Sequence, residues 1–182
     1  MRIPAENDFI VGWKQDGQDP DAKPKPIFTD YIDAPEVRAI GDRLIQSGPL
    51  GSLDDGKLVV DYRWKRKGGT SQGAARYAMC QKLSGAAKHY ASGAQFMVWL
   101  AADHNADRDE RQIEALIFHE LQHIDCIETE DEDLEGNPII AYKIRAHDVE
   151  LFFADLEQYG AWSDHLQHLE RVVKQLPLPI VG

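Results

Sequence analysis

The residues best suited to chemistry in this chain are the five from His119 to His123, which read His-Glu-Leu-Gln-His. They lie in a segment whose apolar residues recur at helical spacing, and side chains four positions apart share one face of a helix. Both imidazoles can therefore reach one metal ion at the ~2.0–2.1 Å typical of zinc–nitrogen bonds. Glu120 lies beside this pair and can accept a proton from a metal-activated water. The pattern predicts a hydrolytic metal site.

A hydrolytic zinc site needs a third protein ligand and keeps its fourth position for water. The sequence His147-Asp148-Val149-Glu150, where another helix is predicted to begin, offers two candidates, His147 and Glu150. Whichever of these two residues does not bind the metal would be a neighbour of the ligands, and a carboxylate in this segment could orient a ligating imidazole by a hydrogen bond to the ring nitrogen that does not bind the metal. A purely structural alternative is an acidic first turn stabilised by the helix dipole. Neutral imidazoles favour zinc over magnesium or calcium, so we expect Zn²⁺.

These residues require a helix, a hairpin and a further helix to bring them together. The apolar pattern predicts that the first helix, with Asp107 as its cap, extends to about Ile127 and places the motif in its middle. An acidic stretch and the turn residues after it predict a hairpin, since Gly and Pro punctuate chain reversals. The other predicted elements around the motif are a central strand over residues 95–101, a strand over 139–145, and helices over 147–159 and 164–176.

The upstream half of the chain is predicted to supply the rest of one small α+β domain. Residues 1–29 are rich in proline and acidic residues, and we expect an extended arm or a partly ordered wrap before a domain over residues 30–182. A helix from Pro35, capped by Asp33, should stop at Gly48-Pro49. We further predict a strand over residues 57–64 and a helix rich in small residues over 71–83. The expected architecture is a small mixed sheet packed on the helix that carries the motif.

Composition excludes several classes of protein. The chain has 182 residues, of which 43% are apolar and 28% charged, the balance of an ordinary globular protein. We identify neither a membrane span nor a signal peptide, and two cysteines cannot build a disulfide framework, so we expect a cytoplasmic protein. A net charge of −11 opposes long-range attraction to nucleic acid or anionic lipid. One basic cluster (residues 63–67), with Trp64 among Arg63, Lys65, Arg66 and Lys67, leaves local nucleic-acid contact as an alternative to a solvated strand end.

The chain resembles a known family, the putative phage metallopeptidases, which occur in phages and prophages. The resemblance covers about residues 83–162 and rests on FMVWL, then ALIFHELQHI, a hairpin, HDVELF and YGAW. It implies a zincin-like fold, with His119 and His123 as zinc ligands and Glu120 as general base, in the cytoplasm of a bacterial host. A glutamate from a following helix completes the site in gluzincins, which favours Glu150. A histidine does so in SprT-like proteases, and the broad similarity of His147, Glu150 and Phe152 to that pattern makes His147 our assignment.

Three further side chains are candidates for stabilising a tetrahedral oxyanion, namely Tyr142, Tyr159 and His165, although packing explains each of them as well. Cys126 would follow His123 by one helical turn and is best explained as a packed thiol. The acidic residues from Asp131 onward superficially suggest a calcium loop. The twelfth position of such a loop would be Tyr142 and not a bidentate glutamate, so the pattern fails.

The expected function is that of a zinc-dependent metallopeptidase acting on a protein or peptide. We expect the strand over residues 95–101 to lie beside the active-site helix and to bind substrate along its edge. One rival hypothesis is a metal-stabilised binding or regulatory protein with vestigial or no catalysis. Another is a protease recruited to nucleic acid through the basic cluster, which would show salt-dependent DNA binding.

Overall fold

The computed structural model of the protein describes residues 1–15, 23–71, 73–147, 161 and 164–175. Internal contacts divide the chain into two compact units, Met1–Arg145 and Ala146–Gly182. The strands of the first unit are β1 (Ile10–Lys14), β2 (Lys25–Phe28), β3 (Tyr31–Asp33), β4 (Val60–Lys65), β5 (Thr70–Ser71), β6 (Ala74–Ala75), β7 (Ala78–Lys82), β8 (Phe96–Ala101), β9 (Ile124–Glu132) and β10 (Pro138–Ile144). Its helices are α1 (Pro35–Gln46), α2 (Gly85–Tyr90) and α3 (Glu110–Leu121). This mixed content confirms the predicted α+β class.

The centre of the first unit is a four-stranded sheet in the order β3-β4-β8-β7. Strand β8 runs parallel to β4 and antiparallel to β7, while β3 is antiparallel to β4, so the sheet is mixed. The apolar run predicted as a central strand is β8, which confirms that prediction. Because β8 is paired on both sides, the expectation that its edge binds substrate is wrong, and the edge strand on that side is β7.

The core lies between one face of this sheet and the helices α1 and α3. Alternate residues of β4 and β8 point into it, because successive side chains of a strand face opposite sides. The members of this core from the sheet are Val60, Tyr62, Trp64, Phe96, Val98 and Leu100, together with Ala78 and Cys80 of β7. Those from α1 and α3 include Val37, Ile40, Leu44, Ile113, Ile117 and Leu121. The sheet therefore packs on the helix that carries the motif, as predicted.

Helix α3 begins and ends at different residues from those predicted. Its N-cap is Asp109, whose carboxylate accepts the N–H of Gln112 at 2.8 Å, while the Gln112 side chain accepts the Asp109 N–H at 3.0 Å. This reciprocal pair satisfies two N–H groups that a helix start leaves without intrahelical partners, so the prediction of Asp107 as cap is wrong. The helix ends at Leu121, and the chain enters β9 at Ile124. The predicted continuation to about residue 127 is therefore also wrong.

Two upstream predictions differ from the structure. The helix predicted over residues 71–83 is wrong, because this segment contains β5, β6 and β7. The N-cap of α1 is Ala34, which makes no side-chain capping bond, while Asp33 closes β3. The N-terminal segment, for which we expected an extended arm or a partly ordered wrap, contains a 3-10 turn and the antiparallel strands β1 and β2. Its Phe9 is fully buried and belongs to the core.

The acidic region forms the predicted hairpin, built from β9 and β10. Its turn is closed by Asp133, whose Oδ1 accepts the N–H groups of Glu135 and Asn137 at 2.9 Å. Gly136 occupies the left-handed region at φ +81°, which glycine adopts without a steric cost. The hairpin thus has a turn that is stabilised locally, while most of its strand residues are half-buried or exposed.

The described part of the second unit contains α4 (Asp164–Gln175), which confirms the helix predicted there. Lys174 and Glu170, one turn apart on α4, form an ion pair at 2.6 Å. The helix predicted over residues 147–159 lies outside the described residues, apart from His147 at its start. Among the described residues, none of the helices is long and apolar enough to cross a membrane.

Candidate metal centre

The two histidines of the motif lie at the junction between α3 and β9. His119 is in the last turn of the helix, and His123 follows the C-cap residue Gln122. Although His123 is outside the regular helix, its N–H still donates to the Glu120 carbonyl at 3.2 Å. The two imidazole centroids are 5.2 Å apart, with their planes at 87°. The spacing predicted that both imidazoles lie on one face within a helix. In the structure they come together at the C-terminal end of that helix.

The orientation of the His123 ring is fixed by the residue that follows β10. Its Nδ1 lies 2.8 Å from the carbonyl oxygen of Arg145, whose N–H donates to the His123 carbonyl at 2.8 Å. A carbonyl oxygen can only accept, so Nδ1 must carry the proton. The other nitrogen, Nε2, then offers its lone pair, which is the arrangement found in metal-ligating histidines.

The third predicted ligand, His147, follows two residues after Arg145. One ring nitrogen from each of His119, His123 and His147 lies within 4.8 Å of the other two. Three neutral imidazole nitrogens suit a borderline-soft ion such as zinc, and these residues therefore fit the metal that the motif implies. His119 and His147 are exposed and His123 is half-buried, so a metal held there would face solvent. Asp148 and Glu150 lie outside the described residues.

Glu120 differs from its histidine neighbours because it is buried, with 7% of its surface exposed. Its Oε2 accepts the main-chain N–H of Cys80 in β7 at 2.7 Å. Burial raises the pKa of Glu120, and the Cys80 hydrogen bond and the nearby His123 oppose that rise without cancelling it. A raised pKa makes the carboxylate a better proton acceptor, which is the direction that favours a general base.

Tyr142, a candidate for oxyanion stabilisation, is engaged elsewhere. Its hydroxyl donates to Asp55 Oδ2 at 2.5 Å, and its ring meets that of Phe96 edge to face at 6.3 Å. Burial, together with the Asp55 carboxylate, raises the pKa of Tyr142. These contacts attach the hairpin to the rest of the first unit. The other two candidates, Tyr159 and the side chain of His165, lie outside the described residues.

Cys126 lies on β9 opposite Tyr142 and not one helical turn past His123. The thiol is half-buried, and burial raises its pKa to about 11. A thiol with a raised pKa is a poor nucleophile, which agrees with the interpretation as a packed side chain.

The basic cluster is largely engaged by groups of its own chain. Arg63 pairs with Asp33 at 2.6 Å and with Asp61 at 2.9 Å, and Arg66 pairs with Glu6 at 3.3 Å. Trp64 is 1% exposed, so its ring cannot stack on a nucleic-acid base. The observed contacts are those of a strand end that is neutralised within the fold.

Two residues that shape the site were not identified from the sequence. Cys80 and Arg145 act through main-chain atoms. Almost any residue type could make such a contact, so no sequence motif marks these positions. The break between helix and strand at Gln122 was the available signal, since the β-branched Ile124, Ile127 and Thr129 after it favour a strand.

Comparison with models of known protein families gives a match over most of the chain. The model of the family described as putative phage metallopeptidase matches residues 29–176. Neither the curated proteins nor the solved structures contain a significant match to the chain. The matched range contains the motif, the hairpin and His147, and it confirms the family suggested by the sequence.

Proposed function

Because the chain belongs to the putative phage metallopeptidase family, we propose that it is a zinc-dependent peptidase with Glu120 as its general base. The observation that carries this proposal is the group of three histidine nitrogens within 4.8 Å, with Glu120 adjacent in sequence to one of them. His119, His123 and His147 would hold the ion. A zinc ion bound there would supply a Lewis acid that polarises the scissile carbonyl and makes water more acidic.

The chain's own residues supply the proton transfers. Glu120 takes a proton from the attacking water and delivers it to the leaving amine, so that the peptide bond breaks without releasing an unprotonated amine anion. The Arg145 carbonyl keeps His123 in the tautomer in which Nε2 is unprotonated. The exposure of His119 and His147 gives a substrate chain access to the centre.

The substrate we propose is an extended segment of a protein or peptide. Strand β7 forms one edge of the mixed sheet, and its Cys80 contacts Glu120 directly. A peptide that adds to this edge by main-chain hydrogen bonds would lie beside the general base. We therefore assign to β7 the role that the sequence had suggested for β8.

The site of action that we propose is the cytoplasm of a bacterial host cell. The phage family supports this location, as does the low cysteine content, because reduced thiols are normal in that compartment.

The test compares wild type with Glu120→Gln after zinc content has been measured in both. Glutamine is nearly isosteric and its Oε1 can still accept the Cys80 N–H, but it cannot take a proton from water at neutral pH. We expect unchanged zinc content and a loss of hydrolysis of about 10²–10⁴-fold. Substrates can be found by incubating each protein with host-cell lysate and identifying new N-termini by mass spectrometry.

Glu110→Gln is the matched control, because it makes the same charge change in the first turn of the same helix. It should cleave as wild type does. If wild type and Glu120→Gln generate the same new termini, the peptidase proposal is rejected and a metal-stabilised binding protein explains the fold better. Absence of a transition metal from protein purified without chelators would also reject it.

A further inference from the structure

The outer edge of β7 has a defined pattern of main-chain groups. The Ala101 N–H donates to the Tyr77 carbonyl at 2.8 Å, and the Leu83 N–H donates to the Gln95 carbonyl at 2.7 Å. Residues 77 and 83 therefore face the neighbouring strand β8. In an antiparallel pair the bonding direction alternates, so the main-chain groups of Ala78, Cys80 and Lys82 point away from β8.

One of these outward groups already has a partner. The Cys80 N–H donates to Glu120 Oε2 at 2.7 Å, and both residues are 7% exposed. A hydrogen bond to a carboxylate is shorter and stronger than one between neutral groups, and burial strengthens it further. It engages one carboxylate oxygen and leaves the second oxygen to interact with water.

We propose that the Cys80 main-chain N–H is the positioning group for Glu120, an inference that rests on the proposed peptidase function. The edge strand thereby sets the direction of the carboxylate. The same bond constrains the substrate, because a peptide added to β7 cannot take the Cys80 N–H while Glu120 holds it. The added strand pairs instead with the main-chain groups of Ala78, and its segment opposite Cys80 lies next to Glu120.

Hydrogen exchange of individual amides tests this contact without a substrate. In the full-length zinc-loaded protein, we expect the Cys80 amide to be protected although it faces away from β8. Glu120→Ala removes the acceptor and should speed its exchange by about tenfold to a hundredfold, whereas Glu120→Gln retains an acceptor and should retain most of the protection. The amides of Met79 and Gln81, which face β8, serve as internal references and should not change.

Proline substitution tests the role in turnover. Cys80→Pro removes the N–H that faces Glu120 while leaving the β7–β8 hydrogen bonds intact, and proline is tolerated at such an edge position. On a cleaved peptide from the lysate experiment, its kcat should be at least about tenfold below that of Cys80→Ala, with equal zinc content and little change in KM. Ala78→Pro removes an outward N–H that does not face Glu120, and it should raise KM instead.

The outcomes distinguish failure of the positioning role of Cys80 from failure of the proposed peptidase function. Equal exchange of the Cys80 amide in wild type and Glu120→Ala overturns the positioning role, as does equal kcat for Cys80→Pro and Cys80→Ala. If Cys80→Pro does not fold, the exchange rates in the Glu120 variants still decide the contact. Hydrolysis by Glu120→Gln at the wild-type rate rejects the peptidase itself, and the positioning role with it.

Discussion

The two regions that meet at the candidate metal centre are stabilised in opposite ways. The sheet and helices enclose the buried Glu120 beside a continuous apolar core, whereas the hairpin of β9 and β10 is acidic and its strand residues are mostly half-buried or exposed. The hairpin is attached through contacts such as Tyr142 with Asp55 and Arg145 with His123. Folding of the core therefore positions the general base, while the position of His123 also depends on how the hairpin is attached.

The largest difference between the regions should appear on truncation of an apolar side chain. Ile117→Ala removes a fully buried side chain from α3, and we expect it to lower the free energy of unfolding by about 2–5 kcal/mol. Ile144→Ala, in β10, truncates a side chain that is 47% exposed and should cost less than about 1 kcal/mol. Urea denaturation of both variants measures the difference. Equal costs would contradict the contrast between core and hairpin.

The next prediction concerns the ligands on the exposed side. His147→Ala removes the proposed third ligand and should weaken zinc binding by more than about 100-fold, whereas loss of a residue that only orients a ligand costs about 10–100-fold. We therefore expect Glu150→Ala to be the milder change. Competition with a chromogenic chelator ranks the two variants. A stronger effect of Glu150→Ala would assign the third ligand to the glutamate.

A smaller effect is expected where α1 approaches the sheet. A Cβ at Gly41 would clash with the hydroxyl group of the fully buried Tyr62. Overpacking costs about 1–3 kcal/mol, and the better helix propensity of alanine offsets up to about 1 kcal/mol of it, so Gly41→Ala should be destabilising. Tyr62→Phe removes the nearest atom and should relieve part of the cost in the double variant. Thermal unfolding of the four proteins gives the coupling.

The smallest effect concerns the attachment of the hairpin. Tyr142→Phe removes the bond to Asp55 and should cost about 0.5–1.5 kcal/mol, while Tyr90→Phe, on a side chain that is 85% exposed, is the control. Burial raises the pKa of Asp55, but hydrogen bonds from Tyr142, Lys57 and Leu58 outweigh it and hold that pKa below its usual value.

The pH dependence of this contact follows from that direction. A depressed pKa in the folded state contributes stability above the unfolded value of about 3.9, and this stability is lost as the pH falls through the folded pKa. The stability advantage of wild type over Asp55→Asn should therefore be constant above about pH 5 and shrink below about pH 4. Urea denaturation across this range measures it, and an advantage that grows on acidification would contradict the assignment.

Prediction from the sequence succeeded where one periodicity dominated. The run in β8 is too short for a buried helix and rich in aromatic and branched residues, and the apolar spacing from Ile113 to Leu121 fits only a helix. Prediction failed where the same sequence pattern is compatible with both a helix and a strand. Ile124 and Ile127 continue the helical spacing after Leu121, yet pairing with β10 places both in a strand. In residues 71–83, small residues suggested a helix, but pairing with β8 makes β7 a strand.

The candidate site divides in the same way. The spacing of His119, Glu120 and His123 was visible in the sequence because it requires particular side chains. The contacts of Glu120 with Cys80 and of His123 with Arg145 were not, since a main-chain N–H or carbonyl is present at almost every position. Such contacts depend on the register of β7 and β10, which long-range strand pairing determines.

The short junction between α3 and β9 has a mechanical consequence. Gln122 and His123 alone join the helix to a nine-residue strand. A connection this short restricts movement of the hairpin relative to the helix. Because His123 lies at the base of the hairpin and belongs to the candidate metal centre, we expect a rotation of the hairpin about this junction to move the His123 ring as well. A partner that pulled on the exposed turn near Leu134 would act on the geometry of the metal site without touching it.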